Sequence, residues 1–333
     1  MKVPPVTAEY MRDWARHAHG SPLYAELCEV VARSPEMLRI VSRIENRPPP
    51  NVFFAAVHYL LMKGGDSDLA RFYPSLVDDP LSPEHVGGPF REFVTAREET
   101  IVELGRTRFT QTNECRRCVA LLPAIWATGF SRFHLIDVGA SAGLNLHVDR
   151  YRYRWDGVEW GVDSAVYLET ESRGKAPVPA DIEVMSRTGL DLNPIDPADP
   201  DGRLWLEALV WPEHGERRQR LQTALEMASE VPVDMVTGSA LDTLGPVLDG
   251  LPAGEPAMVM NSFTLNQFTP EERGQFARIL AHARERRPVA RVFFEHMRSE
   301  DAWHTIGIDM APGEAVLGQG HPHGEWVEFY ARP

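Results

Sequence analysis

An apolar run that ends in a cluster of small residues constrains this chain more than any other feature of its sequence. Residues 133–138 read FHLIDV, and residues 139–146 continue as GASAGLNL. A short apolar run that stops at a polar or glycine position is typical of a buried parallel strand. The small residues predict a sharp turn and then a helix, SAGLNLHVDRY at 141–151, whose N-terminus a ligand can approach. This pattern predicts an α/β domain with a ligand site at the carboxyl end of the strand.

The second half of the chain repeats this alternation of apolar runs and helical segments. Thr269, Pro270 and Glu272 form a capping-box signature at the start of one helix. Alternating strands and helices indicate a doubly wound, mostly parallel sheet, and the aromatic segment 151–180 indicates a β-hairpin insertion. Further strands are predicted from VDMVTG at 233–238, AMVMNS at 257–262, RVFFEH at 291–296 and WVEFY at 326–330.

Residues 1–130 differ in character, because helical patterns follow one another there without a convincing strand. We therefore predict an all-helical N-terminal domain at 1–130 and an α/β domain at 131–333. A chain of 333 residues is long enough for two domains of typical size. The helical domain is expected to act as a lid or substrate wall over a cleft, where small-molecule sites commonly lie.

Charge and hydropathy narrow the classes of partner. Asp and Glu number 48 against 34 Lys and Arg, which gives a net charge of −14. Binding to nucleic acid or to an anionic membrane normally needs a basic face, so a small-molecule substrate is favoured. No apolar stretch approaches the roughly 20 residues that span a bilayer. The first residues contain no apolar signal core, so a cytoplasmic protein is expected. The oligomeric state stays open, with a homodimer among the alternatives.

The three cysteines, Cys28, Cys115 and Cys118, do not form a disulfide framework, because their number is small and odd. Cys115 and Cys118 have the CxxC spacing of metal and redox sites, but no second pair supplies further ligands for zinc. Both lie on one stripe of an apolar helical segment at 114–128, which favours packing in the core. No metal site is predicted.

The turn after residue 138 lacks the spacing that binds dinucleotides. Ser141 and Leu144 stand where the GxGxxG fingerprint has its second and third glycines, so a pyrophosphate fits less well. A cofactor without phosphates fits better, as in class I methyltransferases that bind S-adenosyl-L-methionine (SAM). Asp137 would then orient the amino-acid end of the cofactor. The alternative is a strand–turn–helix crossover without a ligand. The expected cradle consists of Gly139, Ala140, Ser141, Ala142, Gly143 and Asn145.

Longer segments outside the turn carry a resemblance to a known family. They are NRPPPNVFFAAVHYLL, LARFYPSL, TRFTQTNECRRCVALLP, IDVGASAGLNLHVDRYRY, SRTGLDLNPID and LVWPEHGERRQRL. In these segments the chain resembles DUF2332, a bacterial family of unknown function, over nearly its whole length. The resemblance implies a Rossmann-like class I methyltransferase fold and SAM binding. It does not supply a substrate.

Further positions are candidates for holding the nucleoside part of the cofactor. Asp191 is the candidate ribose ligand, with Asp163 as the alternative, and a turn cap explains Asp191 equally well. Ser239 and Ala240 stand where class I methyltransferases often carry an acid that meets adenine, and the uncharged serine departs from that pattern. Asn261 and Ser262 stand at the end of the predicted strand 257–262, at the edge of the expected site.

Polar residues elsewhere are candidates for substrate binding and catalysis. The Arg108 guanidinium could bind a carboxylate through a bidentate pair. Glu114 belongs to the polar cluster QTNE just before an apolar helix, where a helix cap is the alternative explanation. His296 ends a predicted strand, and histidine is a common general base. His296 and Glu114 are therefore the candidate catalytic groups. The candidate substrate contacts are Arg108, Gln111, Asn113, Arg150 and Tyr151.

The sequence thus predicts transfer of a methyl group from SAM to an oxygen, nitrogen or carbon nucleophile of a small molecule. One alternative is a SAM- or nucleoside-binding regulator or partner protein that has lost catalysis. A second is a non-methylating enzyme that acts on a nucleotide-like ligand. Methyl transfer depends on proximity and in-line geometry more than on a base, so the lack of an obvious base does not separate these alternatives.

Overall fold

The computed structural model describes residues 6–17, 20–46, 48–64, 67–296 and 303–330. The chain divides into a helical unit, Met1–Thr112 with Asp199–Gln222, and an α/β unit, Asn113–Ala198 with Thr223–Pro333. This division differs from the predicted boundary at residue 130. The segment before the first strand belongs to the α/β unit because its helix, Cys118–Ala127, packs against strands of the sheet.

Helices fill the first part of the chain, and strands alternate with helices after it. The helices are α1 (Ala8–His17), α2 (Pro22–Ala32), α3 (Pro35–Val41), α4 (Pro49–Met62), α5 (Gly87–Ala96), α6 (Glu98–Thr107), α7 (Cys118–Ala127), α8 (Pro200–Ala208), α9 (Gly215–Glu230), α10 (Ala240–Gly250) and α11 (Pro270–Arg284). Among the described residues, no helix combines the length and apolar character that a membrane span requires.

The strands begin where the helical first part of the chain ends. They are β1 (Arg132–Val138), β2 (Arg152–Trp155), β3 (Val158–Gly161), β4 (Tyr167–Gly174), β5 (Glu183–Asp191), β6 (Asp234–Thr237), β7 (Ala257–Ser262), β8 (Val289–Glu295), β9 (His304–Met310), β10 (Gly313–Gly320) and β11 (Trp326–Phe329). The predicted apolar runs coincide with β1, β6, β7, β8 and β11, because each is buried on both faces or ends at a turn residue.

These strands form one sheet in the order β3-β2-β4-β11-β10-β9-β8-β7-β1-β5-β6. From β8 to β6 all neighbours are parallel, whereas β9 and β10 run antiparallel. The predicted α/β class with a large, mostly parallel sheet is confirmed. The predicted hairpin insertion is present as β2 and β3, and it joins the sheet through β4, which pairs in parallel with β11.

The central strand β1 lies at a topological switch point. After β1 and the β2–β4 insertion, the chain adds β5 and β6 on one side of β1 and then β7 and β8 on its other side. In open α/β sheets, ligands bind outside the carboxyl ends of the strands at such a point. The fold therefore directs attention to the ends of β1 and β7.

The two faces of the parallel strands differ in what covers them. Ile136, Val138 and Val259 project from β1 and β7 into a core with Leu244 of α10 and Leu280 of α11. Because side chains alternate between the faces of a strand, the residue before Val138 projects to the opposite face. That second face carries α7, which packs against β4, β8 and β9.

The helix predicted after the small-residue turn is wrong. The chain forms only a short 3-10 turn at Leu144–His147 and then enters β2. Side chains donate hydrogen bonds to carbonyl groups that would accept from backbone amides in a helix. Tyr151 Oη donates to the Leu144 carbonyl at 2.6 Å, and the Arg187 guanidinium donates to the Leu146 carbonyl at 2.9 Å. The loop after β1 therefore has no α-helix N-terminus behind it.

Candidate functional site

The loop at 139–143 is held by hydrogen bonds within the α/β unit. The amides of Gly139 and Ala140 donate to the Leu190 carbonyl at 2.8 and 3.2 Å, and the Gly143 amide donates to the Ala140 carbonyl at 2.7 Å. These bonds use the donors that the sequence analysis assigned to a cofactor. A ligand at this loop must therefore be recognised by side chains.

Asp191 and Asn113 supply the remaining anchors of the loop. The Ser141 and Asn193 amides each donate to a different Asp191 oxygen at 2.8 Å. Asn113 Nδ2 donates to Ser141 Oγ at 2.8 Å, and Asn113 Oδ1 accepts from the Ala142 amide at 3.1 Å. Backbone contacts thus account for Asp191, as the turn-cap alternative predicts. Asn113 holds Ser141 at a φ of +52°, a backbone conformation that is uncommon outside glycine.

A side chain of the protein accounts for the glycine at position 139. Thr264 Oγ1 donates to the Val138 carbonyl at 2.9 Å and lies against this glycine. A Cβ atom built on Gly139 would be 2.2 Å from Thr264 Oγ1, and the φ of Gly139 is +80°. The left-handed backbone and the close approach both require glycine here.

We expect Gly139→Ala to lower the free energy of unfolding by about 3 kcal/mol, because the left-handed backbone and overpacking against Thr264 both add a cost. Adding Thr264→Ala to this variant removes the clash and should restore about half of the loss. Urea denaturation measures both values. A Gly139→Ala protein as stable as the wild type would contradict the close contact.

Asp137, the residue before the last one in β1, has a buried carboxyl group with an unused oxygen. The residue is 1% exposed, and its Oδ2 has no hydrogen-bond partner within the described ranges. Burial and the charge of Asp191 raise the pKa of this carboxyl to about 7, with a further contribution from Glu295 and an opposing one from Arg117. A perturbed, unpartnered carboxyl group at a switch point is a strong indicator of a ligand site.

Two more unpartnered polar side chains lie on the same face of the sheet as Asp137. The register of β7 against β1 and the alternation of side chains place Ser262 on that face. In the strand register, Ser262 lies opposite Phe294 of β8, and Phe294 lies opposite Ile306 of β9. Since Ile306 is two residues beyond His304, the His304 side chain projects to the same face. In the part of the chain that the structure describes, Ser262 Oγ and both ring nitrogens of His304 have no hydrogen-bond partner. Asp137, Ser262 and His304 form the candidate site.

Aromatic and cationic side chains surround the imidazole of His304. The ring is stacked with Phe263, with 3.8 Å between ring centroids and 17° between the planes. Phe263 has a φ of +61°, and the Arg117 guanidinium carbon lies 3.6 Å from its ring centroid. Burial, together with the charges of Arg117, His296 and His321, lowers the pKa of His304 to about 3. The neutral imidazole therefore offers one donor and one acceptor nitrogen.

A buried carboxylate holds the strand ends beside this site. Glu295 is 1% exposed and accepts from Asn261 Nδ2 at 2.7 Å and from the Thr264 and Leu265 amides at 2.7 and 3.1 Å. Asn261 Oδ1 accepts from Arg291 Nε at 2.8 Å. Both ends of the Asn261 amide are thus used inside the protein. The predicted contact of Asn261 with a cofactor is corrected to a structural role.

Three further residues of the predicted cofactor site have local structural partners. The Ser239 hydroxyl caps α10, and Ala240 is the first residue of that helix. Asn145 Oδ1 lies 3.5 Å from Cys118 Sγ, which is buried like the other cysteines. Asp163, the alternative ribose ligand, is exposed in the connection between β3 and β4. The part of the chain that the structure describes holds no group of three His, Cys, Asp or Glu side chains arranged for a metal ion.

The predicted substrate contacts also have other roles or lie elsewhere. Arg108 pairs with Asp201 inside the helical unit, so a carboxylate of the protein occupies its guanidinium. Gln111 belongs to the helical unit as well. Tyr151 is completely buried and bonded to a backbone carbonyl, and Arg150 is exposed. Asn113 contacts the loop after β1 directly, although as an anchor of that loop.

The two predicted catalytic groups differ in position. Glu114 is 3% exposed and caps the 3-10 turn Cys115–Arg117 by accepting from the Arg116 amide at 3.1 Å. The helix-cap alternative expected Asn113 as the cap with Glu114 in the first turn, whereas Glu114 itself is the cap. His296 lies at the end of β8, with its ring centroid 5.3 Å from that of His304. His296 therefore borders the candidate site, and the buried imidazole within the site is that of His304.

The residues that sequence reasoning missed are Phe263 and His304, whereas it placed Ser262, together with Asn261, at the edge of the expected site. The segment NSFT at 261–264 contained a signal, because polar residues directly follow a buried strand there. No comparable signal marks His304, since β9 and β10 lack the apolar runs that identified the parallel strands. Its position in the site depends on antiparallel pairing with β8.

A pocket at the amino ends of the same strands has different chemistry. Its ionisable groups are paired, because Arg132 binds Glu183 at 3.2 Å and Glu255 binds His134 at 2.7 Å. This pairing leaves the carboxyl edge as the candidate site. The pocket is lined by Gly129, Phe130, Ser131, Arg132, Met185, Glu255 and Pro256.

Comparison with known proteins adds one family. The family model described as "Uncharacterized protein conserved in bacteria (DUF2332)" matches residues 8–329. No curated protein matches the chain. The match covers segments of both the helical unit and the α/β unit.

Proposed function

Since the chain belongs to the DUF2332 family, whose description names no reaction, we propose a function from the chemistry of its own site. The protein binds SAM and transfers the methyl group to a small molecule. The observation that carries this proposal is the buried Oδ2 of Asp137 at the topological switch point, which has no hydrogen-bond partner among the described residues. The proposal includes a Rossmann-like class I methyltransferase fold for the α/β unit.

The order of the parallel strands supports this proposal. Numbered one to five along the chain, β1, β5, β6, β7 and β8 have the spatial order 3-2-1-4-5, which is typical of doubly wound nucleotide-binding sheets. Asp137 lies near the end of the first of these strands and Ser262 at the end of the fourth.

The amino-acid end of SAM fits the unpartnered atom. An ammonium group that donates to Asp137 Oδ2 would satisfy a buried acceptor and stabilise the ionised carboxylate. SAM supplies an electrophilic methyl group on a sulfonium sulfur. Asp137 binds and orients its amino-acid end, while Asn113 keeps the loop after β1 in place. Methyl transfer then depends on the alignment that these residues impose.

Calorimetric titration with SAM and S-adenosylhomocysteine (SAH) tests the proposal. We expect micromolar binding of both at pH 7.5, and Asp137→Asn should weaken both by at least about tenfold, since a charge-assisted hydrogen bond is lost. Because the pKa of Asp137 is about 7, the carboxyl must release a proton to pair with the ammonium at lower pH. Affinity should therefore fall roughly tenfold from pH 7 to 5.5 in the wild type, and stay flat in Asp137→Asn.

Asp309→Asn is the matched control for this titration. Asp309 is a partly buried carboxylate of β9 that pairs with Arg284 at 3.1 Å. In the strand register it lies opposite Arg291, near the beginning of β8. Asp309 is therefore at the edge of the sheet opposite to the candidate site. Its substitution should leave the affinity for SAM and SAH unchanged. Absence of binding of either molecule to the wild-type protein would overturn the proposed function.

One observation favours the alternative of binding without turnover. The Ser239 hydroxyl is used as the cap of α10, so the position that commonly meets adenine carries neither a charge nor a free hydroxyl. Tight binding of SAM without methyl transfer to alcohols, amines or carbon acids would support this alternative. Formation of SAH in the presence of an acceptor would support the enzyme.

A further inference from the structure

The proposed binding of SAM uses only one of the three unpartnered groups in the candidate site. We propose that Ser262 and His304 form the subsite for the methyl acceptor, that this acceptor is a phenol, and that His304 takes the proton of its hydroxyl group. This inference rests on the proposed function, because it names the second substrate of the same site.

Both side chains of the proposed acceptor subsite are buried. His304 is 6% exposed and Ser262 is 7% exposed. Their three polar atoms lack hydrogen-bond partners among the residues that the structure describes. Each buried polar atom without a partner costs about 1–3 kcal/mol. Packing alone does not explain such a cost at two strand ends on one face of the sheet, whereas a hydroxyl-bearing ligand would remove it.

The three side chains of the candidate site follow one another along the edge of the sheet. Asp137 lies on β1, Ser262 on the adjacent β7, and His304 on β9, with β8 in between. All three project to the same face. Neighbouring strands are about 5 Å apart, so β7 and β9 are separated by about 10 Å. Phe294 of β8 projects to this face between them, and an aromatic ring that stacks over Phe294 spans the distance between the two groups, next to the group that orients the methyl donor.

The aromatic surroundings of His304 indicate the class of acceptor. Phe263 is stacked on the imidazole, and the Phe294 ring centroid lies 5.5 Å from it. Trp303, the neighbour of His304 in the sequence, is 39% exposed and packs edge-on against Trp326 at 4.8 Å. Aromatic walls favour a planar apolar ring. A phenol combines such a ring with a hydroxyl group that is uncharged at neutral pH, and it therefore matches a neutral imidazole.

The proposed step balances charge and protons. The phenol oxygen forms a bond to the methyl carbon, and the carbon–sulfur bond breaks with its electron pair remaining on sulfur. The hydroxyl proton moves to the acceptor nitrogen of His304, so the positive charge passes from sulfur to the imidazole. Because burial and the nearby Arg117, His296 and His321 keep the pKa of His304 low, the imidazolium releases its proton to water. The products are a methyl aryl ether and SAH.

His304→Phe tests this assignment with stability as a second readout. The substitution replaces two unpartnered nitrogens with an apolar ring of similar shape, so the free energy of unfolding should stay the same or rise. SAH affinity should stay within threefold of the wild type. Methylation of 1-naphthol or 4-methylphenol, followed as methyl ether by mass spectrometry, should fall at least about 100-fold, as expected for loss of a general base. His304→Gln keeps a polar group there if the phenylalanine variant does not fold, and it should lose the same activity.

His147→Phe is the matched control. His147 is completely buried, and its ring nitrogens also lack hydrogen-bond partners in the described ranges. Its position in the turn before β2 places it outside the proposed subsite. We expect this variant to keep the methylation rate of the wild type. A merely structural role of buried histidines would make both variants behave alike.

Binding of 1-naphthol without SAM, followed by its fluorescence, separates the two proposals. Failure of SAM and SAH to bind overturns the proposed function, and naphthol binding that depends on His304 would still support the phenol subsite. SAM binding without methylation of either phenol overturns the acceptor class. Turnover by His304→Phe within a few-fold of the wild-type rate overturns the role of His304.

Discussion

Replacing Glu295 with alanine is expected to lower the free energy of unfolding by about 4 kcal/mol. The substitution leaves Asn261 Nδ2 and the amides of Thr264 and Leu265 without an acceptor in a region that is closed to water. It also releases the segment that holds Thr264 against Gly139. We therefore expect the variant to lose SAM binding as well as stability, because the strand ends that form the site depend on this carboxylate.

Urea denaturation of Glu295→Ala, Glu295→Gln and Glu285→Ala measures this effect. The glutamine variant keeps one acceptor oxygen and should lose about half as much stability as the alanine variant. Glu285 is the exposed control, with a side chain that is 72% accessible, and its substitution should change stability by less than about 0.5 kcal/mol. A loss below 1 kcal/mol for Glu295→Ala would show that the buried donors find other partners.

Stability is also expected to fall steeply in mild acid. Burial is the main cause that lowers the pKa of His58 and His147 to about 4 and that of His304 to about 3. Nearby cations contribute at each site, with Arg218 beside His58 and Arg187 beside His147. An unfolded histidine titrates near 6.5. Between pH 6.5 and 4 the unfolded chain therefore binds up to three protons that the folded chain does not, and stability falls as the pH falls.

Asp137 opposes this trend, because its raised pKa of about 7 lets the folded protein bind a proton that an unfolded aspartate releases above about 4. The net difference of two protons gives a loss of roughly 2.7 kcal/mol for each pH unit inside the window. Urea unfolding at pH 6.5, 5.5 and 5 measures it. His147→Phe should reduce the slope by about half, to that of one remaining net proton. Equal stability at pH 6.5 and 5 would contradict the burial of neutral histidines.

Local sequence patterns predicted the elements whose structure depends on neighbours in the chain. The strand β1 and the turn after it follow from a mostly apolar run of six residues, 133–138, that is followed by small residues. The capping box of α11 is present as predicted, with Thr269 Oγ1 accepting from the Glu272 amide at 3.2 Å and Glu272 accepting from the Thr269 amide at 2.7 Å. Both features need only residues a few positions apart, so the sequence alone specifies them.

Features that depend on distant residues were not predictable in this way. The expected helix after the turn does not form because Tyr151, just before β2, and Arg187 of β5 donate hydrogen bonds to its carbonyl groups. Asp137 was found because it lies inside the pattern itself. Glu295 and His304 join the site only after β8 has paired with β7 and β9, and a single sequence carries no local record of that pairing.

The pairing of β11 with β4 has a consequence for the order in which the protein can fold during synthesis. β11 lies between β10 and β4, so β2, β3 and β4 reach the central strands only through the last strand in chain order. The ribosome therefore delivers the connecting strand after everything that it connects. Until then the edges of β4 and β10 are unpaired, and exposed edges invite pairing with other chains. Contacts of such long sequence separation also form slowly. The nascent chain of this protein therefore exposes, for a time, strand edges that are paired in the finished sheet.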